Sequence, residues 1–250
     1  MDRSPLLDTF KRGEVNRELR LLAAQGAVAP RAEEQFELLV MLTGDADPDV
    51  AATAERTLES IPAADVSAIL AGNVSPETKA RFAAKGILPA AAPREGDAPL
   101  IDSSPDVEEA PADEEPQSAL QRVSSLNVAK RIALAMKGNR EERAILIRDP
   151  NRIVTAAVLS SPKMNDPEVA AIAKMQNVSE DVLRTIATNR AWLKNYSIAL
   201  AVVKNPKTPV ALSMNIMARL TDKDLKLRST DRNVPDALRT QARRKMTVDK

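Results

Sequence analysis

Polar turn motifs recur every 28 residues in the second half of this 250-residue chain. The motifs are Asp149-Pro150-Asn151, Asn177-Val178-Ser179, Asn205-Pro206-Lys207 and Asn233-Val234-Pro235. The sixth position counted from the start of each motif is aliphatic: Val154, Val182, Val210 and Leu238. Because Pro breaks helices and Asn or Ser caps them, each interval predicts two short helices of about ten residues, separated by polar turns.

Apolar residues between the motifs follow helical spacing, as in Val182, Leu183, Ile186 and Ala187. Gly is scarce, with seven residues, and no segment alternates as a half-buried strand does. The sequence therefore predicts an all-α fold. A two-helix unit cannot bury its own apolar face, but stacked units can, which favours an α-solenoid with a 28-residue repeat. A non-repetitive helical bundle is the alternative.

The first 90 residues repeat this pattern more weakly. Asp47-Pro48-Asp49 and Asn73-Val74-Ser75 are turn motifs 26 residues apart, and each precedes a helix-forming segment. Further helices are predicted over 19–24 and 34–42. Residues 1–90 are therefore expected to form a smaller helical-repeat module.

Charge divides the chain into three segments. Residues 1–90 carry 10 Lys/Arg and 14 Asp/Glu, whereas residues 91–116 carry one Arg, nine acids and five Pro. Residues 117–250 carry 25 Lys/Arg and 12 Asp/Glu, a net charge of +13. The middle segment is predicted to be a disordered acidic linker, because it has too little apolar surface to offset the entropy of ordering. The last segment is the predicted solenoid.

The chain contains no His and no Cys, which excludes Ser-His-Asp and Cys-His triads, His/Cys metal sites and disulfides. It also lacks a Gly-rich phosphate loop. The acidic pairs Asp222/Asp224 and Glu141/Glu142 are interpreted as helix-start charges. We therefore predict no catalytic residue, no metal ligand and no cofactor. A charged N-terminal sequence without an apolar core, and the lack of Cys, suggest the cytoplasm.

Basic residues cluster around the turn motifs. Arg148, Lys204 and Arg232 directly precede a motif, while Arg152 and Lys207 follow the start of one. In a solenoid such positions stack about 10 Å apart along one edge. We call these five residues the basic edge, and they are predicted to bind anionic groups. The alternative explanation is local: a cation in the last helical turn offsets the helix dipole.

An aromatic pair lies between two basic residues in the same half. Trp192 and Tyr196, four positions apart, are flanked by Arg190 and Lys194 and would form an aromatic platform on one helix. The alternative is that Trp192 is a core residue. The predicted partner-binding residues are therefore Arg148, Arg152, Arg190, Trp192, Lys194, Lys204, Lys207 and Arg232.

The turn-helix units resemble the HEAT-like and leucine-rich-variant type of bacterial α-solenoid. Lys137-Gly138-Asn139-Arg140, Arg148-Asp149-Pro150-Asn151 and Lys204-Asn205-Pro206-Lys207-Thr208-Pro209 also look like an uncharacterised family of bacterial helical-repeat proteins. The resemblance covers about residues 117–250 and implies a fold and a bacterial origin but no activity. The leucine-rich-variant repeat is shorter than 28 residues, and its iron–sulfur cysteines are absent here.

Together these features predict a non-catalytic interaction scaffold that binds an anionic partner, with an acidic protein surface favoured. Nucleic-acid binding is the alternative, including a glycosylase-like activity, because some HEAT-like proteins are DNA glycosylases that use Trp, Asp and Arg. The acidic linker either occupies the basic surface within the chain or only spaces the two modules. Membrane insertion is not expected, because the basic tail over 239–245 lacks a large apolar face.

Overall fold

A computed structural model describes residues 4–13, 15–101, 103, 116–230 and 236–248. Among these residues there are sixteen α-helices, one short 3-10 helix and no strand, which confirms the all-α fold class. None of the helices in this part of the chain has the length and apolar character needed to cross a membrane. The α-helices are α1 (Pro5–Lys11), α2 (Arg17–Ala24), α3 (Ala32–Leu42), α4 (Pro48–Glu59), α5 (Ala63–Leu70), α6 (Pro76–Ala84), α7 (Pro116–Ser125), α8 (Val128–Lys137), α9 (Arg140–Leu146), α10 (Arg152–Ser160), α11 (Asp166–Lys174), α12 (Glu180–Thr188), α13 (Tyr196–Lys204), α14 (Val210–Met217), α15 (Asp222–Thr230) and α16 (Asp236–Val248). The 3-10 helix is Trp192–Lys194.

Capping side chains explain where most of these helices begin. In each case a side-chain oxygen accepts a hydrogen bond from a backbone N–H of the first turn, which has no partner inside the helix. At α9 the arrangement is reciprocal: Asn139 Oδ1 accepts from the Glu142 N–H at 2.9 Å, and Glu142 Oε2 accepts from the Asn139 N–H at 2.7 Å. The capping residues include Ser4, Asn16, Asp47, Ser75, Asn127, Asn139, Asn151, Asn165, Ser179 and Asn195.

The described chain divides into two compact units, one ending at Lys163 and the other beginning at Met164. The first unit contains α1–α10. In it, α2 packs against α3 and α4, and α1 packs against α10. One buried cluster is centred on Phe36 and Phe82, whose ring centroids lie 5.0 Å apart, and includes Leu39, Ile69 and Leu70.

Helices often pack against their second neighbour along the chain as well as their first. In the first unit α7 packs against α9, and α8 packs against both α9 and α10. In the second unit α11 packs against α13, α12 against α14, and α16 against both α14 and α15. The apolar positions predicted from the sequence are buried, with Val154, Leu183 and Ile186 fully inaccessible to solvent.

Three of the predicted turn motifs are confirmed, because residues 149–151, 177–179 and 205–207 each lead into a helix, α10, α12 and α14. The fourth motif, at Asn233, lies outside the described residues. Helices α10, α12, α14 and α16 begin at intervals of 28, 30 and 26 residues, so the period varies about the predicted 28. The longest interval contains the connector 189–195, which is two residues longer than the connector 161–165 because it holds the 3-10 helix.

The predicted acidic linker is only partly described. Residues 91–101 and Ser103 form no helix, and Leu100 and Ile101 pack against the cluster around Phe36. Residue 102 and residues 104–115 of the linker lie outside the described residues. The boundaries at 90/91 and 116/117 stay predictions. The division between the compact units lies further along the chain, after Lys163, because α1 packs against α10 and both belong to the first unit.

Candidate functional site

Two asparagines fix the shape of the connector 189–195, which carries three of the predicted partner-binding residues. Asn189 Oδ1 accepts hydrogen bonds from the N–H groups of Ala191, at 2.9 Å, and Trp192, at 3.2 Å. Asn195 Oδ1 accepts from the Ser197 N–H at 2.9 Å, and its amide donates to Asp166 at 3.0 Å. These hydrogen bonds hold the backbone of the connector in one conformation, and so they fix the positions from which its side chains project.

Arg190 and Lys194 are exposed on this connector, on either side of a half-buried Trp192. Among the described residues, neither cation has an ion-pair partner, unlike Arg184, which pairs with Glu180. A planar indole between two solvated cations suits a surface that contacts both apolar and anionic groups.

The structure does not bring Trp192 and Tyr196 onto one continuous helix. The 3-10 helix ends at Lys194, Asn195 is extended, and Tyr196 is the first residue of α13. Within the described part of the chain no ring contact joins the two side chains, because the helix break removes the stacking of positions i and i+4. The predicted aromatic platform is therefore wrong in its geometry.

Tyr196 instead joins the beginnings of α13 and α15. Its hydroxyl donates to the Asp224 carboxylate and lies 3.2 Å from Thr221 Oγ1. This hydrogen bond is the main cause that holds the pKa of Asp224 below its ordinary value, with smaller contributions from Thr221, Lys204 and Arg228. Asp224 is thus ionised at neutral pH and offsets part of the charge of Lys204. The 28-residue separation of Tyr196 and Asp224 is the sequence signal that could have paired them.

The two basic residues at the end of α13 and in the turn after it, Lys204 and Lys207, have different surroundings. Lys204 is exposed at the end of α13, whereas the Lys207 ammonium donates to the Val178 carbonyl at 3.2 Å. The buried Asn205 amide donates to the carbonyls of Ala173, at 2.9 Å, and Met175, at 2.8 Å. Lys207 therefore has a local structural role that the sequence did not reveal.

Lysines bonded to carbonyls about one interval earlier occur elsewhere in the chain. Lys163 donates to the Lys137 carbonyl, and Lys245 donates to the Ala218 carbonyl and, at 3.4 Å, to the Met217 carbonyl. A cation at the carboxyl end of a helix is stabilised by the helix dipole. Some of the lysines of residues 117–250 thus donate hydrogen bonds to backbone carbonyls at the ends of helices.

Of the remaining basic-edge residues, two lie in the first compact unit and one lies outside the described residues. Arg148 is exposed in the turn after α9 and has no ion-pair partner among the described residues. Arg152 is exposed at the first position of α10, behind the capping Asn151. Arg232 lies outside the described residues.

The comparisons with known proteins add no relative. No protein-family model, no curated protein and no solved structure matches this chain. Within the described residues, no group of three or more carboxylates converges as a metal site would require. The surface of the connector 189–195 therefore offers two cations beside an indole.

Proposed function

We propose that this protein is a non-catalytic interaction scaffold whose basic C-terminal half binds an anionic partner. The observation that carries the proposal is the exposure of three cations in a segment of net charge +13. Arg148, Arg190 and Lys194 are exposed and, among the described residues, have no ion-pair partner. Cations that are not neutralised within the chain attract anions from solution.

The proposal includes an α-solenoid over residues 117–250, similar to HEAT-like bacterial solenoids. It is supported by helices that pack against their second neighbours, as α11 does with α13 and α12 with α14. It is also supported by hydrogen bonds that join residues 25 to 32 positions apart, such as Ser161 to Met136 and Asn205 to Ala173. A cytoplasmic setting is part of the proposal, because a chain without cysteine suits a reducing compartment.

An acidic protein surface is the favoured partner. Arg and Trp are the residue types that most often dominate the binding energy of protein interfaces, and the connector carries Arg190 and Trp192 two positions apart. Single-stranded nucleic acid would instead be expected to stack on several aromatic side chains, whereas the whole chain has only five. Duplex DNA remains the alternative partner.

The test compares two double variants of the full chain that change the net charge equally. Arg190→Gln/Lys194→Gln removes two cations that have no ion-pair partner in the described part of the chain, and Arg184→Gln/Arg239→Gln removes two that pair with Glu180 and Asp236. The probe is polyglutamate, a model acidic polypeptide, and the measurement is binding by isothermal titration calorimetry. We expect the first variant to weaken binding about 3- to 10-fold and the second to change it less than 2-fold, because each exposed charge pair contributes about 0.2–1 kcal/mol. Equal losses in both variants would show that only net charge matters and would contradict the proposed surface.

A further inference from the structure

On the acidic half of the chain, the buried side chain of Gln35 in α3 joins two segments that are distant in sequence. The Gln35 carboxamide forms four hydrogen bonds, and all of them are to backbone groups. Its Oε1 accepts from the N–H groups of Leu100, at 2.7 Å, and Ile101, at 3.0 Å. Its Nε2 donates to the carbonyls of Gly26 and Ile101, both at 2.6 Å.

The segment that Gln35 binds has no regular secondary structure of its own. Residues 97–101, which we call the docked segment, lie 65 to 69 positions after Ala32, the first residue of α3. Because three of the four hydrogen bonds are to the main chain of the segment, they would form with any peptide that adopts the same bend at the position of Leu100 and has no proline at the two donor positions. Backbone recognition of this kind gives affinity without fixing the sequence.

Apolar contacts give this site its side-chain preference. Leu100 and Ile101 pack against the cluster around Phe36 but remain half-buried. Gly26 has a positive φ of 89°, and a Cβ atom built on it would lie 3.3 Å from both Ile101 and the Gln35 amide. The backbone at Gly26 therefore adopts a left-handed conformation that favours glycine and brings it close to the isoleucine.

A charged contact defines the other end of the site. Arg31 Nε lies 3.1 Å from Asp97 Oδ2, and the Ala32 N–H donates to the Asp97 carbonyl at 3.3 Å. Asp97 also contributes to the raised pKa of Glu34, whose main cause is burial. Arg31 thus faces two carboxylates, and it would prefer a ligand with an acidic residue at the position of Asp97.

We propose that this groove is a peptide-binding site, occupied within the chain by the docked segment, and that a segment of a partner protein with the same bend displaces it. The ligand has an acidic residue followed three and four positions later by two aliphatic residues, as Asp97, Leu100 and Ile101 are arranged. Both aliphatic side chains are only half-buried and the Arg31–Asp97 pair is exposed, so the docked segment depends on these contacts together with its hydrogen bonds to Gln35. The backbone of a partner segment can replace those hydrogen bonds one for one, which makes exchange possible. This inference does not rest on the function proposed for the basic surface.

The experiment adds a synthetic peptide of residues 94–101 in trans to the full chain. Leu100→Ser/Ile101→Ser removes the apolar contacts of the docked segment and frees the groove, while Leu88→Ser is the control, since Leu88 is 65% exposed. Fluorescence anisotropy of the labelled peptide should show binding to the double variant about 10-fold or more tighter than to the wild type or the control. A tethered segment competes at an effective concentration in the millimolar range. A double variant that is folded by circular dichroism and does not bind the peptide would overturn the proposal.

Two further measurements keep the proposal testable if the double variant does not fold. In the wild type, the amide hydrogens of Leu100 and Ile101 should exchange with solvent faster than those of α3, by local opening of the segment. Exchange of both sets at the same, slowest rate would make the segment an inseparable part of the fold and contradict the proposal. A concentration-dependent dimer of the wild type that the double variant loses would also contradict it, by assigning the groove to a second copy.

Discussion

Two asparagines that look equivalent in the sequence have different surroundings in the structure. Asn177 and Asn205 both begin a predicted turn motif, 28 residues apart. Asn177 is exposed, whereas Asn205 is buried and donates to the carbonyls of Ala173 and Met175. The longer connector 189–195 shifts the alignment, so that Asn205 occupies the position after its helix that Met175 occupies after α11.

This difference predicts unequal costs of substitution. Asn205→Ala should lower the free energy of unfolding by about 1–3 kcal/mol, because it leaves the buried carbonyl of Ala173 and the partly buried carbonyl of Met175 without these donors. Asn177→Ala, the matched control, should change it by less than about 0.5 kcal/mol. Urea denaturation followed by circular dichroism measures both, and equal losses would show that Asn205 has no special structural role.

The sequence predicted the local functions of single residues better than their distant contacts. Asn151 and Ser179 cap α10 and α12 as the motifs indicated, because a cap and its helix are adjacent in the chain. Gln35 gave no such signal, since its partners at 100 and 101 lie 65 and 66 positions away. Lys207 likewise contacts a carbonyl 29 residues earlier, and a charge count cannot reveal that contact.

At the scale of elements, hydrophobic spacing and turn residues were sufficient to predict the main helices of the second half. Helix α12, for example, buries the apolar face predicted from Val182, Leu183 and Ile186. The 3-10 helix was not predicted, because three residues carry no measurable periodicity. Its presence determines where Trp192 and Tyr196 lie, and so it decided the geometry of the site.

The link between α13 and α15 predicts a pH-dependent effect of Tyr196→Phe. The substitution removes the hydrogen bond to Asp224, so the pKa of Asp224 should rise toward its ordinary value of about 3.9. A lowered pKa in the folded state stabilises the fold above the pKa of the unfolded chain, and this stability is lost as pH falls through the folded value. The variant should therefore be less stable by about 0.5 kcal/mol at pH 7, with the difference disappearing under acidic conditions that protonate Asp224.

A titration of Asp224 by NMR and thermal unfolding across pH would measure both effects. In an Asp224→Asn background, Tyr196→Phe should change stability less than it does in the wild type, because the carboxylate acceptor is already absent. A pKa of Asp224 that does not change in Tyr196→Phe would contradict the assigned cause.

At the scale of the whole chain, charge is segregated along the sequence, from −12 over residues 1–116 to +13 over residues 117–250. The amino-acid composition alone was sufficient to show that the acidic and basic residues lie in different halves of the chain. It did not show that Asp97, an acid of the predicted linker, lies beside Arg31 of the acidic half. That contact joins residues 66 positions apart, and composition cannot reveal it.

The most direct test of the proposed scaffold is the salt dependence of binding by the intact chain. Affinity for polyglutamate and for duplex DNA of equal total charge would be measured by titration calorimetry over a range of salt concentrations. The account predicts that polyglutamate binds more tightly than the duplex at physiological salt, with a shallower slope of log affinity against log salt concentration. Tighter binding of the duplex, with a slope of several units as counterion release from phosphates produces, would contradict it and support a nucleic-acid-binding protein.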